Sequence, residues 1–319
     1  VIRRRTFIQS IAATASIGLP EARAATPRSN FGTYSTAEEV TRGLDLSGKV
    51  AVVTGATAGI GFETMRVLAL RGAHVIGTGR TVERAKEACG RVKGKTTPVA
   101  LELTDFASAA ACADTIQTLG LPIDMLVLNA GIYLEGHEQV NGLEKQFVVN
   151  HLGHFVLTHR LLNRVTAAPQ GRVVVVGSGS HFSAPRDGIQ FGDLSGKSWS
   201  NLAYGHSKLA NGLFSLELAS RLRGTRATSN CLTPGQVVTE IFRNLSTQRA
   251  DAMNRGRDRT PEHGAATPCY VATNPTLDKV SGEYFSDCNP APQSAHQTDK
   301  AMAAKLWDVS TDLTRKYLG

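Results

Sequence analysis

The chain has 319 residues, 41% of them hydrophobic, which is enough for one substantial core. Part of the net charge of +8 sits at the start, where Arg3, Arg4, Arg5 and Arg23 oppose only Glu21. The remainder has no dense Lys/Arg tract and no aromatic interleaving, so nucleic-acid binding is not indicated. The five cysteines (Cys89, Cys112, Cys231, Cys269 and Cys288) are odd in number and lack metal-type spacing, which argues against a disulfide framework and a zinc site.

In chain order, Arg3–Ile8 forms a charged region, Ile11–Leu19 a short apolar run, and Ala22-Arg-Ala24 an A-x-A cleavage site. The apolar run is far shorter than the ~20 residues of a membrane span, so no stable span is expected. Arg4-Arg5-x-Phe7-Ile8 has the form of a twin-arginine signal. Residues 1–24 are therefore expected to be a signal peptide and the protein periplasmic. The alternative is a basic tail on a cytoplasmic protein. Residues 25–43 read as a Pro/Ser/Asn/Gly-rich linker followed by a short helix, which Thr36-Ala-Glu-Glu39 starts with a capping box.

From residue 44 to 319, strand-like and helix-like segments alternate without a long polar linker, which predicts one α/β domain. Val50–Val53 is a short apolar β-branched run of the kind that fills a strand buried on both faces. Gly55, Gly59 and Gly61 follow, then a helical pattern over Phe62–Leu70. Strand, glycine turn and helix N-terminus make an anion site, because backbone N–H groups and the helix dipole favour a phosphate. The spacing is G-x-x-x-G-x-G rather than the common dinucleotide fingerprint.

His74–Gly79 predicts the second strand, with Arg80 just after it and no Asp or Glu at positions 76 to 82. An acidic residue there would bind a ribose 2′-hydroxyl, whereas arginine suits a 2′-phosphate, so NADP(H) is favoured over NAD(H). Val99–Leu103 predicts the third strand, with Asp105 capping the next helix, and Ile123–Leu128 the fourth. The fourth ends in Asn129-Ala130-Gly131, small enough for a flat ring or sugar to approach. A helix around Gln146 to Leu162 carries His151 and His154, which no carboxylate completes into a metal set. Arg172–Val176 predicts the fifth strand, ending in Gly177-Ser-Gly-Ser180 at the sheet end where ligands sit. Tyr204 and Lys208 share one face of a long helix, where an ammonium beside a phenol favours the phenolate.

Thr54-Gly-x-x-x-Gly-Ile-Gly61, Asn129-Ala-Gly131, Asn150, Ser178 and Tyr204-x-x-x-Lys208, in this order, resemble the short-chain dehydrogenase/reductase family from about residue 36 onward. Asn150-His-Leu-Gly-His-Phe155, the run from Tyr204 to Asn211 and Gly282–Cys288 are similar to its retinol dehydrogenase-like branch. The resemblance implies a doubly wound parallel sheet of Rossmann type with helices on both faces. It also implies hydride transfer between a nicotinamide and an alcohol or carbonyl substrate of apolar character. Tyr204 would pass the proton, Ser178 would hydrogen-bond the substrate oxygen, Lys208 would bind the nicotinamide ribose, and Asn150 would hold a water linking Lys208 to solvent.

By the same resemblance, cofactor contacts would come from Gly55, Thr57, Gly59, Ile60, Gly61 and Arg80, and from Glu102, Leu103, Asn129, Ala130 and Gly131. Pro234, Gly235, Val237 and Thr239, after a sixth strand at about 226 to 232, would complete them together with Tyr204 and Lys208. Two residues depart from the branch: Gly177 stands where a first serine is usual, and Glu102 where an adenine-contacting Asp is usual. Residues 236–262 carry Arg243, Arg249, Arg255, Arg257 and Arg259; the resemblance implies a substrate lid there, whose charge would suit an acidic substrate, and the alternative is a solvated, mobile loop. An apolar stripe of Leu306, Trp307, Val309 and Leu313 fits either core packing or a homo-oligomer contact. The alternative function is a non-catalytic dinucleotide sensor or scaffold on the same fold.

Overall fold

The computed structural model describes residues 26–319, so the expected signal peptide lies outside the described residues. Among the described residues ten strands occur: β1 Val50–Val53, β2 His74–Gly79, β3 Thr96–Ala100, β4 Met125–Leu128, β5 Gln139–Val140, β6 Leu143–Glu144, β7 Arg172–Val176, β8 Thr228–Thr233, β9 Tyr284–Ser286 and β10 Asn289–Pro290. Strands β5 and β6 form a separate small hairpin; the other eight make one sheet in the order β10-β9-β8-β7-β4-β1-β2-β3. All neighbours in that sheet are parallel except β9 and β10.

The period-two alternation of strand side chains explains why both faces are covered. Val50, Val52, Leu126, Leu128, Val173 and Val175 point into one layer. Ala51, Val53, Met125, Val127, Val174 and Val176 point into the other. The first layer is closed by α4 (Phe106–Thr118), α6 (Gly153–Thr166), α7 (Ala203–Arg221) and α11 (Lys300–Thr314). The second is closed by α1 (Ala37–Val40), α2 (Gly59–Leu70) and α10 (Ala266–Thr273), with α3 (Val82–Gly90) over the β2–β3 end. Short helices α5 (Lys145–Phe147), α8 (Thr247–Asn254) and α9 (Pro261–Gly264) lie in the connections. No helix of the described residues is long and apolar enough to cross a membrane.

Several boundaries differ from expectation. The third strand covers Thr96–Ala100 rather than Val99–Leu103. It is the edge strand, where Pro98 costs no ladder bond, and the chain leaves the sheet after Leu101 so that Glu102 and Leu103 reach the sheet's carboxyl end. The helix around residue 146 is broken into α5, a π-helical turn Val148–Leu152, and α6. Residues before α1 pack on the far sheet edge: Ser29 Oγ donates to Cys288 O at 3.0 Å, and Phe31 meets Tyr270 edge-on at 6.0 Å. The capping box at Thr36 and Glu39 is present. All five cysteines are buried and free. Trp307 stacks on Phe214 at 5.9 Å and Leu306 is buried with it, so these two residues of the α11 stripe serve the core, while Leu313 is exposed.

Candidate active site

The connections from β1 run toward β2 and β3, and those from β4 run toward β7 and β8. The carboxyl ends of β1 and β4 therefore flank a switch point, and one cavity of about 980 Å³ opens there. Gly55 (φ +65°) and Gly59 (φ +56°) turn the chain out of β1 in the left-handed region that favours glycine. A Cβ on Gly55 would lie 2.9 Å from Ala130 Cα, and one on Gly61 would run into Asn129 Nδ2 and Gly55 O. The N-cap of α2 is Ala58, which supplies no side-chain cap, so the first-turn N–H groups are left to the cavity. That is an anion cradle built from backbone alone.

Thr54 ties the cradle to the rest of the site. Its Oγ1 accepts from Asn129 N at 2.9 Å and Ala130 N at 3.0 Å, while Asn129 Nδ2 donates to Thr54 O at 2.9 Å. His154 Nδ1 faces Asn150 O at 3.2 Å and its Nε2 faces Thr54 Oγ1 at 2.9 Å. Burial lowers the pKa of His154 to about 4, so the ring is neutral. The carbonyl only accepts, so Nδ1 carries the proton and Nε2 accepts the Thr54 hydroxyl proton. His151, the other histidine of the pair, meets Ser310 Oγ at 2.8 Å. The two histidines are thus spent on separate hydrogen bonds, one beneath the site and one to α11.

On the opposite wall, Ser178 caps the turn Gly179–Ser183. His181 Nδ1 donates to Ser178 O at 2.7 Å, which holds the backbone of the serine. Gly177 explains itself sterically: a Cβ there would lie 2.7 Å from Cys231 Sγ and 3.0 Å from Leu232 O. The serine usual at that place does not fit. Tyr204 is half-buried and Lys208 buried, both on α7 and both lining the cavity.

The expected effect of the ammonium on the phenol is not the dominant one. Burial pushes the Tyr204 phenol up to about 12, against the opposing pull of a hydrogen bond with Ser178 and the charge of Arg257. Burial lowers Lys208 to about 8. Its Nζ lies 5.6 Å from the Tyr204 ring centroid and donates to Val176 O at 3.0 Å, so that carbonyl rather than the phenol engages it directly. Asn150 sits in the π-helical turn behind Gly131 rather than on the cavity wall. Its Oδ1 accepts from Ile132 N at 2.8 Å, and its Nδ2 donates to Ile132 O at 3.1 Å and Ser207 Oγ at 3.0 Å. The side chain is committed to the chain itself.

The other expected contacts all line the cavity: Gly55, Thr57, Gly59, Ile60 and Gly61 from the cradle, Glu102, Leu103, Asn129, Ala130 and Gly131 from the ends of β3 and β4, and Pro234, Gly235, Val237 and Thr239 after β8. Glu102 Oε1 accepts from Thr104 N at 3.0 Å and Thr104 Oγ1 at 2.8 Å, which turns that oxygen onto its own loop. At the cradle's far end Arg80 is joined by Arg84 and Arg243; burial lowers the pKa of Arg243, and the nearby charges of Arg80 and Arg84 lower it further. Above Tyr204, Tyr133 packs edge-on against it at 5.1 Å and against Phe242 at 5.3 Å. Sequence reasoning singled out neither Arg84, Tyr133 nor Phe242, because loops far apart in the chain bring them together.

Residues 49–250 match the family model for short chain dehydrogenase. Human retinol dehydrogenase 11 is 38% identical over 279 residues, covering 85% of this chain and 87% of that protein. An uncharacterised protein from Mycobacterium paratuberculosis has a solved structure with TM-score 0.69 and 31% identity, covering 86% of this chain and 97% of that one. The Pseudomonas aeruginosa RhlG/NADP active-site complex superposes with TM-score 0.61 at 27% identity, covering 76% and 95%. The chain belongs to the short-chain dehydrogenase/reductase family, in its retinol dehydrogenase-like branch.

Proposed function

We propose that the protein is an NADP(H)-dependent oxidoreductase acting on an alcohol or carbonyl substrate of apolar character. The observation that carries this reading is the placing of Ser178, Tyr204 and Lys208 on one wall of the cavity whose other end is the glycine cradle. The cradle fits a dinucleotide pyrophosphate, because its donors are uncapped backbone N–H groups and its glycines leave no side chain in the way. When bound, a nicotinamide supplies or accepts the hydride. The chain's own groups do the rest.

For reduction, Ser178 and Tyr204 hydrogen-bond the substrate oxygen, and Tyr204 gives that oxygen its phenolic proton as the carbonyl carbon receives the hydride. A phenol held near 12 is a donor that stays protonated at working pH. Lys208 lies one helical turn behind, where its charge stabilises the phenolate left after transfer. A proton from solvent then restores the phenol. Asn150 is a positioning residue that fixes the strand end at Ile132 and the α7 turn at Ser207. Arg80, supported by Arg84 and Arg243, would read a 2′-phosphate, and the NADP named with the Pseudomonas structure supports that preference.

The test is a panel of aldehydes, ketones and alcohols assayed with NADPH and NADP⁺. Turnover of any member is expected. Tight NADPH binding with no turnover across the panel would replace this reading with that of a dinucleotide sensor.

A further inference from the structure

Beyond Tyr204 the cavity opens into a mouth roofed by residues 236–262, and the arginines of that roof have different fates. Arg249 pairs with Glu135, and Arg259 pairs with Asp287 at 2.7 Å. Arg243 turns to the cradle end beside Arg80 and Arg84. Arg257 lines the cavity on the substrate side. Its guanidinium lies 5.0 Å from the Phe242 ring centroid, its Nε donates to Met253 O at 2.7 Å, and its Nη1 donates to Val237 O at 3.4 Å. These contacts hold the side chain in place without neutralising it. Among the described residues no carboxylate forms an ion pair with it.

The acidic groups of this region lie with other partners or other cations: Glu240 sits beside Arg243, and Asp258 accepts from the Tyr34 hydroxyl at 2.7 Å. Glu138 pairs with Lys145 at 2.7 Å, and Glu102 is held by Thr104. Arg257 is half-buried, and its charge reaches the Tyr204 phenol, where it opposes part of the rise that burial imposes. The substrate side of the site therefore combines aromatic walls, Tyr133 and Phe242, with one held, uncompensated guanidinium. A guanidinium is a planar fork matched to a carboxylate, and a partly desolvated one binds an anion far better than a neutral group.

Resting on the reductase reading above, we propose that the substrate is an apolar or aromatic aldehyde, ketone or alcohol that also carries a carboxylate, and that Arg257 is the specificity-determining residue that binds this group. The rings of Tyr133 and Phe242 would flank the body between the reacting carbon and the acid. An anionic substituent also gives a use to the one of these cations that faces the apolar part of the cavity, for Arg249 and Arg259 are paired and Arg255 is exposed away from the lining.

The experiment measures steady-state kinetics with NADPH on aryl and alkyl oxo acids, each against its own methyl ester, for the wild type, Arg257→Met and Arg257→Lys. Arg257→Met keeps a stem to cover Phe242 and removes the charge; Arg257→Lys keeps the charge and removes the fork. The wild type is expected to favour acids over esters by about tenfold or more in kcat/KM, the effect of one charge-assisted pair. Arg257→Met should erase that preference through KM for the acids, Arg257→Lys should restore part of it, and NADPH affinity should stay put. Esters reduced as well as acids by the wild type would overturn this proposal while leaving the reductase reading standing. So would a preference that survives Arg257→Met, or a loss that falls on NADPH affinity instead. No turnover of any acid, ester or neutral carbonyl, with NADPH bound, would remove the reductase reading and this proposal with it.

Discussion

Arg80 illustrates how one side chain carries a specificity and how far it can be read in isolation. Its place after β2 is legible from a strand pattern followed by a charge and no acid. What the sequence hides is the company it keeps, because Arg84 arrives from α3 and Arg243 from the roof after β8. Arg80→Asp should weaken NADPH binding by about ten- to a hundredfold, as expected for loss of a charge-assisted contact, and leave NADH binding at least as strong. Fluorescence titration of both nucleotides checks this; an unchanged NADPH/NADH ratio would take Arg80 out of cofactor choice. Gly177 makes the same point in reverse. As a sequence letter it is a departure from the branch, and only the packing of Cys231 Sγ beneath it shows why a side chain is refused. Arg257 was visible only as one of five arginines; its separation from Arg249 and Arg259 depends on which acids lie across the fold.

Among the elements, those governed by local rules were the most legible. β1, β2 and β7 have the expected bounds, because each is an apolar run ended by glycine, or by an arginine after one. The third strand is displaced by tertiary context: Leu101 and Leu103 are apolar because they are buried in the core at and just beyond the point where the chain leaves the sheet. The π-helical turn at Val148–Leu152 carries no local signal either. It is accompanied by a long-range network, in which Asn150 grips Ile132 and His154 reaches Thr54.

The glycine turn is the element on which the cradle depends. Gly61→Ala would press a methyl group against Asn129 Nδ2 and Gly55 O, and Asn129 is already fixed by its bond to Thr54 O. The expected cost is about 1–3 kcal/mol, the range for overpacking a tight site, with a parallel loss of nucleotide affinity. Urea denaturation checks the first and titration the second. Wild-type values for both would mean that the turn has slack.

For the whole molecule, the two-layer core around a parallel sheet buries His151, His154 and His206 in neutral form. Burial takes His151 and His206 down to about 3 and His154 to about 4. Each has a folded pKa below its ordinary value of 6.5, so from about 6.5 down to about 4 for His154, and down to about 3 for His151 and His206, the unfolded chain binds protons that the folded chain refuses. Their contribution is complete above 6.5 and is lost as the pH falls through that window, by up to about 1.4 kcal/mol per pH unit for each group. Glu144, whose pKa burial raises, works against the trend as a single group. The midpoint of urea unfolding should therefore fall steeply between pH 6.5 and 5. A flat midpoint there would mean that the histidines are not buried neutral.

The central claim is that Tyr204 is the proton donor and acceptor in a site that binds NADP(H). The measurement that meets it most directly is turnover and NADPH affinity determined side by side for the wild type and Tyr204→Phe. The variant keeps the ring that Tyr133 packs against at 5.1 Å and removes only the hydroxyl. Turnover should fall by about a hundredfold or more, the usual worth of a positioned acid, while NADPH affinity stays close to wild type. Near-normal turnover in Tyr204→Phe would contradict the account.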